Sequence, residues 1–417
     1  MKSLYFAPHP FWPVTSGARL RNFQLACQLA SVASVTFVEL CRNGEGHQIP
    51  PGNLIVANVV TLEKRRTYTP SKIFRGLAGP TPVTVLNCWS DQAASQLAEV
   101  LKVNQFDTVQ ISGTPLMGYL PVVQNLPKRP AIVVDWHNIE SELMWRFAKS
   151  AGNWPRKIAA RRTANLIERA EDRLLDFSAL HTVTSERERQ KLLLRHPKAN
   201  IAVIPNGVDT SFFVPKDTAG AGHPNAQGGS KPTVLFVGSM DYHANIDAVL
   251  WFYRVAWPEI ARKHPGVQFT IVGRDPVPEI LALQSSRIQV TGTVEDMRPF
   301  YASAAAAIAP IRTGSGTRLK ILEAMAAGVP VVSTRLGVEG LDAQDDVHLL
   351  LAEDGLETAA AIDRILSSAE TGHRLSASAR ALVVARYDWS TIGERLSCIH
   401  QDLARLPQTA QNAPCFV

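Results

Sequence analysis

The chain has 417 residues, 46% hydrophobic and 19% charged, with a formal net charge of +6. That composition excludes wholesale disorder, and the length predicts more than one folded core. The basic excess suits phosphates or an anionic membrane surface and is too small to point to nucleic acid.

Along the chain, the opening apolar run 4–7 meets Pro8, His9 and Pro10, so no secretory leader is expected. A helix over 17–30 follows, with Leu20, Phe23, Ala26, Cys27 and Ala30 at helical spacing as its apolar face. Short apolar runs at 35–40, 54–60, 83–86, 108–111, 132–135 and 180–184 alternate with helical stretches, the pattern of a parallel sheet covered on both faces. The uncharged stretch 108–127 contains Pro115, Pro121 and Pro127 and reads as strand, turn and short helix, not as a membrane span.

After residues 201–209 comes a Gly- and Ala-rich segment, 216–231, that cannot bury itself and reads as a linker. The scheme then repeats, with runs at 234–237, 269–272, 288–290, 306–309, 329–332 and 349–351 and helical patterns at 246–263 and 317–327. A last helix is expected from Trp389 to about Leu406. The expected layout is a first Rossmann-like domain over 1–214, a linker at 215–232, a second over 233–385, a helix at 386–406 packing back toward the first domain, and a flexible tail at 407–417. In two such domains the cleft between them is the default ligand site. Cys27, Cys41, Cys88, Cys398 and Cys415 are scattered with no Cys-x-x-Cys, which predicts reduced thiols and a cytoplasmic location. No Asp-x-Asp and no His/Cys cluster at ligand spacing occurs, so no metal or other cofactor is expected.

The segment most loaded with chemistry is Gly314-Ser315-Gly316-Thr317-Arg318-Leu319-Lys320, followed by Glu323. A Gly-Ser-Gly turn opening a helix brings backbone N–H groups and the positive end of the helix dipole against an anion. Arg318 and Lys320 add cations in the first turn, and Glu323 follows Lys320 at i+3, where a carboxylate can accept from a ribose diol. Read in isolation, the same residues also describe a loop and a surface ion pair, at roughly even odds.

Residues 16–19, 135–138, 204–209, 234–245, 269–274, 290–294 and 314–332 together, in this order, resemble glycosyltransferase family 4 along nearly the whole chain, and are most similar to sugar transferases of exopolysaccharide and lipopolysaccharide synthesis. The resemblance implies the GT-B fold, two doubly wound α/β domains facing each other across a cleft. It also implies transfer of a hexose-type sugar, with retention and without metal, from a nucleotide diphosphate sugar to a glycan or lipid-linked acceptor. Glu323 matches the second acid of the family's Glu-x7-Glu motif, which binds the donor ribose; Gly316, Leu319 and Lys320 match positions whose backbone meets the diphosphate, and Gly314 and Thr317 are further donor-binding candidates in the same turn. Val294 matches the backbone position that reads the nucleobase. His137 matches the histidine that contacts the donor sugar, and Ser16 and Gly17 match the loop closing over donor and acceptor. Gly238 and Ser239 fall in the donor-binding loop after the first strand of the second half.

Three positions depart from that pattern: Ser315 replaces the first acid, and Ser239 and Asn245 replace an Arg and a Lys that clamp phosphate. A diphosphate needs cationic compensation, so Arg318 and Lys320 are expected to take over, and donor identity does not transfer. From the residues alone, His137 reads first as a structural hydrogen-bonding group, while Asp135 and Asn138 can fix its tautomer and make it a positioned polar group. Between Arg146 and Arg169, seven basic residues stand against the acid Glu168, with Phe147 and Trp154 among them. That pattern fits either a solvated helix or a face meeting an anionic bilayer from the cytoplasmic side. A dinucleotide-dependent oxidoreductase or epimerase is disfavoured, because the loop Pro8–Pro13 holds no glycine and Gly314-Ser315-Gly316 lacks the third one. A non-catalytic nucleotide-sugar-binding regulator and a GT-B nucleotide-sugar 2-epimerase stay open as alternatives.

Overall fold

The computed structural model describes residues 1–42, 58–64, 68–150, 152–177, 180–215, 231–314, 316 and 318–405. It divides into two compact units, Met1–Pro205 with Trp389 onward, and Asn206–Asp388. The first holds a seven-stranded sheet of β1 (Lys2–Ala7), β2 (Ser34–Arg42), β3 (Asn58–Lys64), β4 (Thr108–Ser112), β5 (Ala131–Asp135), β6 (Leu180–Val183) and β7 (Asn200–Val203), in the order β3-β2-β1-β4-β5-β6-β7. The second holds six: β8 (Thr233–Val237), β9 (Gln268–Val272), β10 (Ile288–Val290), β11 (Ala304–Ala309), β12 (Val331–Ser333) and β13 (Leu350–Leu351), in the order β10-β9-β8-β11-β12-β13. All pairings within both sheets are parallel. Both are Rossmann-like, and each reverses its winding once, between β1 and β4 and between β8 and β11, the positions where such sheets open a crevice beyond their strand ends.

The strands form because their apolar runs are covered on both faces. β11, six consecutive apolar residues, is buried throughout, and the second unit's core gathers Phe236, Phe252, Phe269 and Met325 around it. Departures from the sequence reading have local causes. The run 83–86 is not a strand but lies in the helix Val83–Cys88, which starts after Pro82, whose fixed φ suits the residue before a helix, and buries Val85 and Asn87. The expected helix over 246–263 is two, His243–Val255 and Trp257–Lys263, because Pro258 lacks an N–H and its ring disfavours helical geometry just before it. Residues 54–57 of one expected strand, residues 216–230 of the expected linker and the tail 407–417 lie outside the described residues. The first unit closes at Pro205 rather than 214, since Val208 N–H donates to Tyr387 C=O and Thr210 Oγ1 to Asp388, both in the second unit.

The helix Gly17–Ala30 is turned from the expected face: Arg21, Asn22, Leu25, Ala26 and Leu29 are buried, while Leu20, Phe23, Cys27 and Ala30 are half-buried. Buried polar partners decide this. Arg21 makes a two-pronged pair with Asp135, at 2.9 Å from Nε and 2.6 Å from Nη2, and also donates to the carbonyls of Ile204 (2.8 Å) and Pro205 (3.0 Å). Thr182 Oγ1 adds a 2.7 Å bond to Asp135. Burial alone would raise the Asp135 carboxyl, but the Arg21 charge and its hydrogen bonds outweigh that and hold it below the usual range. The last helix, Trp389–Arg405, packs on Gly17–Ala30, where a Cβ on Gly393 would stand 2.3 Å from Gln28 Oε1. Its His400 is fully buried between Thr108 Oγ1 (2.8 Å) and Gln110 Oε1 (2.9 Å).

Asp135→Ala leaves a buried guanidinium uncompensated and lowers the unfolding free energy by about 3–5 kcal/mol in urea melts, whereas replacing both partners with apolar residues restores most of it. Burial holds His181 and His400 neutral, with pKa values of about 4. An unfolded histidine titrates near ~6.5, so below that the unfolded chain binds more protons. The stabilisation is complete above about pH 6.5 and is lost as pH falls toward about 4, a decline visible in urea midpoints between about pH 7.5 and about pH 5.

Candidate functional site

In the first unit, polar side chains converge at the switch between β1 and β4. His137, just past β5, places Nε2 at 2.7 Å from Ser112 Oγ at the end of β4, 3.1 Å from Asn22 Oδ1 and 3.5 Å from Asp135 Oδ2. Ser112 Oγ donates to Asn22 Oδ1 at 2.5 Å, as does Tyr5 Oη at 3.1 Å. An amide oxygen only accepts, so the proton facing it from the ring sits on Nε2, and Nδ1 carries the lone pair. Burial lowers the His137 pKa to about 4; Asp135 opposes the shift and Arg21 adds to it. At neutral pH the ring is therefore uncharged, fixed in tautomer, and able to accept a hydrogen bond from a ligand hydroxyl. Asn22 Nδ2 continues the chain to His9 Nε2 at 3.5 Å, and burial and His137 hold that second imidazole neutral too, with a pKa of about 4. Gly17 is exposed at the helix start, and Ser16 is its N-cap, accepting from Arg19 N–H at 3.3 Å.

In the second unit, the switch between β8 and β11 gathers most of the sequence's donor-site residues. Gly314 and Gly316 have φ of +98° and +86°, backbone that favours glycine, and the helix Leu319–Ala326 begins with no side-chain cap on its N-terminus. Its first N–H groups are thus open to an anion. Ser315 and Thr317 lie outside the described residues. Lys320 Nζ donates to Asn245 Oδ1 at 2.8 Å and stands over the Phe236 ring, 4.1 Å from its centre. A Cβ on Gly238 would lie 2.8 Å from that ammonium, so Gly238 is what lets it reach the end of β8. Asn245 Nδ2 donates to Ser239 C=O at 2.8 Å, which fixes the amide that holds the lysine. Beneath Lys320 a narrow cavity is lined by Leu235, Val237, Tyr301, Ala307 and Val331. Burial, followed by the Arg318 charge, lowers the Lys320 pKa to about 7, with Glu323 opposing.

Lys320 and Glu323 are not an ion pair among the described residues. The Glu323 carboxylate accepts instead from Tyr301 Oη at 2.8 Å; burial raises its pKa, while Tyr301 and Lys320 pull it down. A Cβ on Gly314 would stand 3.2 Å from both Arg318 Nη2 and Tyr242 Oη, which puts Arg318 over the turn. Val294, half-buried, follows β10, whose loop meets Gly273 through a 3.3 Å bond from Gly273 N–H to Gly292 C=O. Among the described residues no group of His, Cys, Asp and Glu could hold a metal ion.

Several groups here escaped the sequence reading. Arg274, after β9, donates from Nε to Ser239 Oγ at 2.9 Å and so brings a third cation to the loop after β8. Asn22, Ser112 and Tyr301 are the partners that orient His137 and Glu323. The available signal was Arg21-Asn22, a polar pair interrupting a helix that otherwise packs apolar residues.

The architecture is that of GT-B glycosyltransferases. Two family models match, "Glycosyltransferase Family 4" over residues 55–212 and "Glycosyl transferases group 1" over 231–368, and the chain belongs to this glycosyltransferase family. It is 30% identical over 210 residues to the phosphatidyl-myo-inositol mannosyltransferase of Mycolicibacterium smegmatis, covering 48% of this chain and 52% of that one. It is 28% identical over 219 residues to the GDP-mannose-dependent alpha-(1-6)-phosphatidylinositol monomannoside mannosyltransferase of Mycobacterium tuberculosis, covering 48% and 56%. The chain thus matches about half the length of these curated relatives. Among solved structures, a sucrose-phosphate synthase from Thermosynechococcus elongatus aligns with a TM-score of 0.71 at 18% identity, covering 97% of this chain and 99% of that one. Anabaena HepE in complex with UDP-glucose aligns with a TM-score of 0.62 at 14% identity, covering 96% and 100%.

Lys320→Ala is expected to raise the dissociation constant for UDP or GDP by about ten- to a hundredfold, and Arg274→Ala to act in the same direction, as measured by titration calorimetry. Because the Lys320 pKa is about 7, the cation is lost as pH rises. Diphosphate affinity in titration calorimetry therefore weakens above about pH 7, and that slope disappears in Lys320→Ala.

Proposed function

We propose that this chain moves a hexose-type sugar from a nucleotide diphosphate sugar to a polysaccharide, lipid-linked or lipopolysaccharide acceptor, with retention and without metal. One observation carries the reading: at the switch point of the second sheet, Arg318 and Lys320 flank the glycine turn and the helix start that follows it, with Arg274 bonded to the loop after β8, a set of groups suited to a pyrophosphate. The departing diphosphate gains negative charge as the bond from sugar C1 to phosphate oxygen breaks. Cations and N–H dipoles fixed beforehand stabilise that charge without reorganising.

In the retaining course, the acceptor hydroxyl attacks C1 from the face the diphosphate leaves, and its proton passes to the departing phosphate oxygen. Bond breaking and bond making balance with no protein nucleophile. His137, neutral and with Nδ1 as acceptor, orients a hydroxyl of the transferred sugar, and Glu323, held by Tyr301, receives the ribose diol. The names of the mannosyltransferase relatives favour a lipid-linked acceptor. With it goes a cytoplasmic protein resting on the inner face of an anionic membrane; among the described residues no helix is long and apolar enough to cross one. Ser239 and Asn245 motivate a non-catalytic, donor-binding alternative, but Asn245 holds Lys320 and Ser239 holds Arg274, so the substituted positions still serve the cradle.

The test is donor turnover by purified protein, scored as release of nucleoside diphosphate from a panel of nucleotide sugars. An enzyme turns donor over and loses about a hundredfold or more of that rate in His137→Ala with donor affinity retained. Tight binding with no turnover supports the regulator. An epimerised sugar formed without acceptor supports the 2-epimerase.

A further inference from the structure

The helix Pro70–Ala78 in the first unit faces the wrong way for a packed helix. Thr69 caps it, accepting from Lys72 N–H at 3.3 Å, so it is a defined element. Its inward contact is Gly76, where a Cβ would stand 2.5 Å from Val83 Cγ2. Phe74 lies on the side opposite Gly76, with Leu77 and Ile73 beside it on the same outer surface, and the three are 71%, 43% and 40% exposed. Tyr68, just before the helix, is 61% exposed. An amphipathic helix that presents its apolar side outward calls for an apolar partner.

The adjoining surface says which. Arg162 of the long helix Trp154–Leu175 donates to the carbonyls of Leu77, Ala78 and Gly79 and so joins the two helices. Trp154 and Ile158, at the i−8 and i−4 positions from Arg162, continue the same row and are 75% and 45% exposed. On these helices and at the end of the helix Glu140–Ser150 stand Arg75, Lys149, Arg156, Lys157 and Arg161, none of which has an acidic partner among the described residues. Apolar side chains interleaved with unneutralised cations fit an interface of hydrocarbon and negative charge, and an acidic protein or polymer would match the cations alone.

We propose that the helix Pro70–Ala78 is a membrane-docking element. Phe74, Leu77 and Ile73 enter the headgroup–acyl boundary of an anionic bilayer, while Arg75, Arg156, Lys157 and Arg161 lie against the lipid phosphates. This rests on the peripheral-membrane reading above and adds the element that does the anchoring, which the basic segment 146–169 alone does not provide.

The experiment is co-sedimentation of the full chain with vesicles of phosphatidylglycerol mixed with phosphatidylcholine, and of phosphatidylcholine alone. Expected are binding to the anionic vesicles only, weakened by salt, and a loss of about tenfold or more in Phe74→Glu/Leu77→Glu. The milder Phe74→Ser/Leu77→Ser pair should also lose binding, with melting temperature and nucleoside diphosphate affinity unchanged in both. Arg156→Glu/Lys157→Glu should lose both binding and salt dependence. Equal binding to both vesicle types, or none to either, overturns the membrane reading itself. Anionic binding that survives both helix variants overturns the helix as the docking element and leaves the broader reading standing.

Discussion

Both units depend on burying charge at the carboxyl ends of parallel strands, and the Arg21–Asp135 pair is where this is most complete. Neither side chain is more than 1% exposed, and desolvation of that extent is tolerated only because every strong donor and acceptor is matched. The pair ties a helix, β5, β6 and the chain leaving β7 into one arrangement. Asn22 and His137 sit one and two residues from its partners, so their geometry is inherited from it. The first unit's polar site is thus a consequence of a structural ion pair, and its neutral imidazole follows from the same dry surroundings.

The second unit solves a different problem with similar means. Lys320 is held by an amide and an aromatic face, and Arg274 by a hydroxyl, with the Asp275 carboxylate 3.8 Å from its Nε. Glu323 is bound by Tyr301 instead of pairing with Lys320.

Much of the architecture was legible because strands covered on both faces are rich in apolar residues, wholly so in β11 and largely so in β5 and β9. The run 83–86 misled because a short run of apolar or β-branched residues fits a short helix as well as a strand. The first helix was placed correctly but turned, since periodicity counts apolar residues and cannot know that Arg21 has a buried counter-ion 114 residues away. The Gly314–Lys320 turn could be read from its own chemistry. Arg274 could not, because its partner Ser239 is 35 positions distant and only the adjacency of β8 and β9 brings them together.

The amide of Asn245 carries a wider lesson about how such proteins diverge. Its position carries no charge and instead holds the ammonium of Lys320. A positive place in space can thus be kept while the position that supplies the charge changes. Signatures that demand a basic letter at a fixed column will discard functional members, whereas a survey of where side-chain nitrogens end up will keep them.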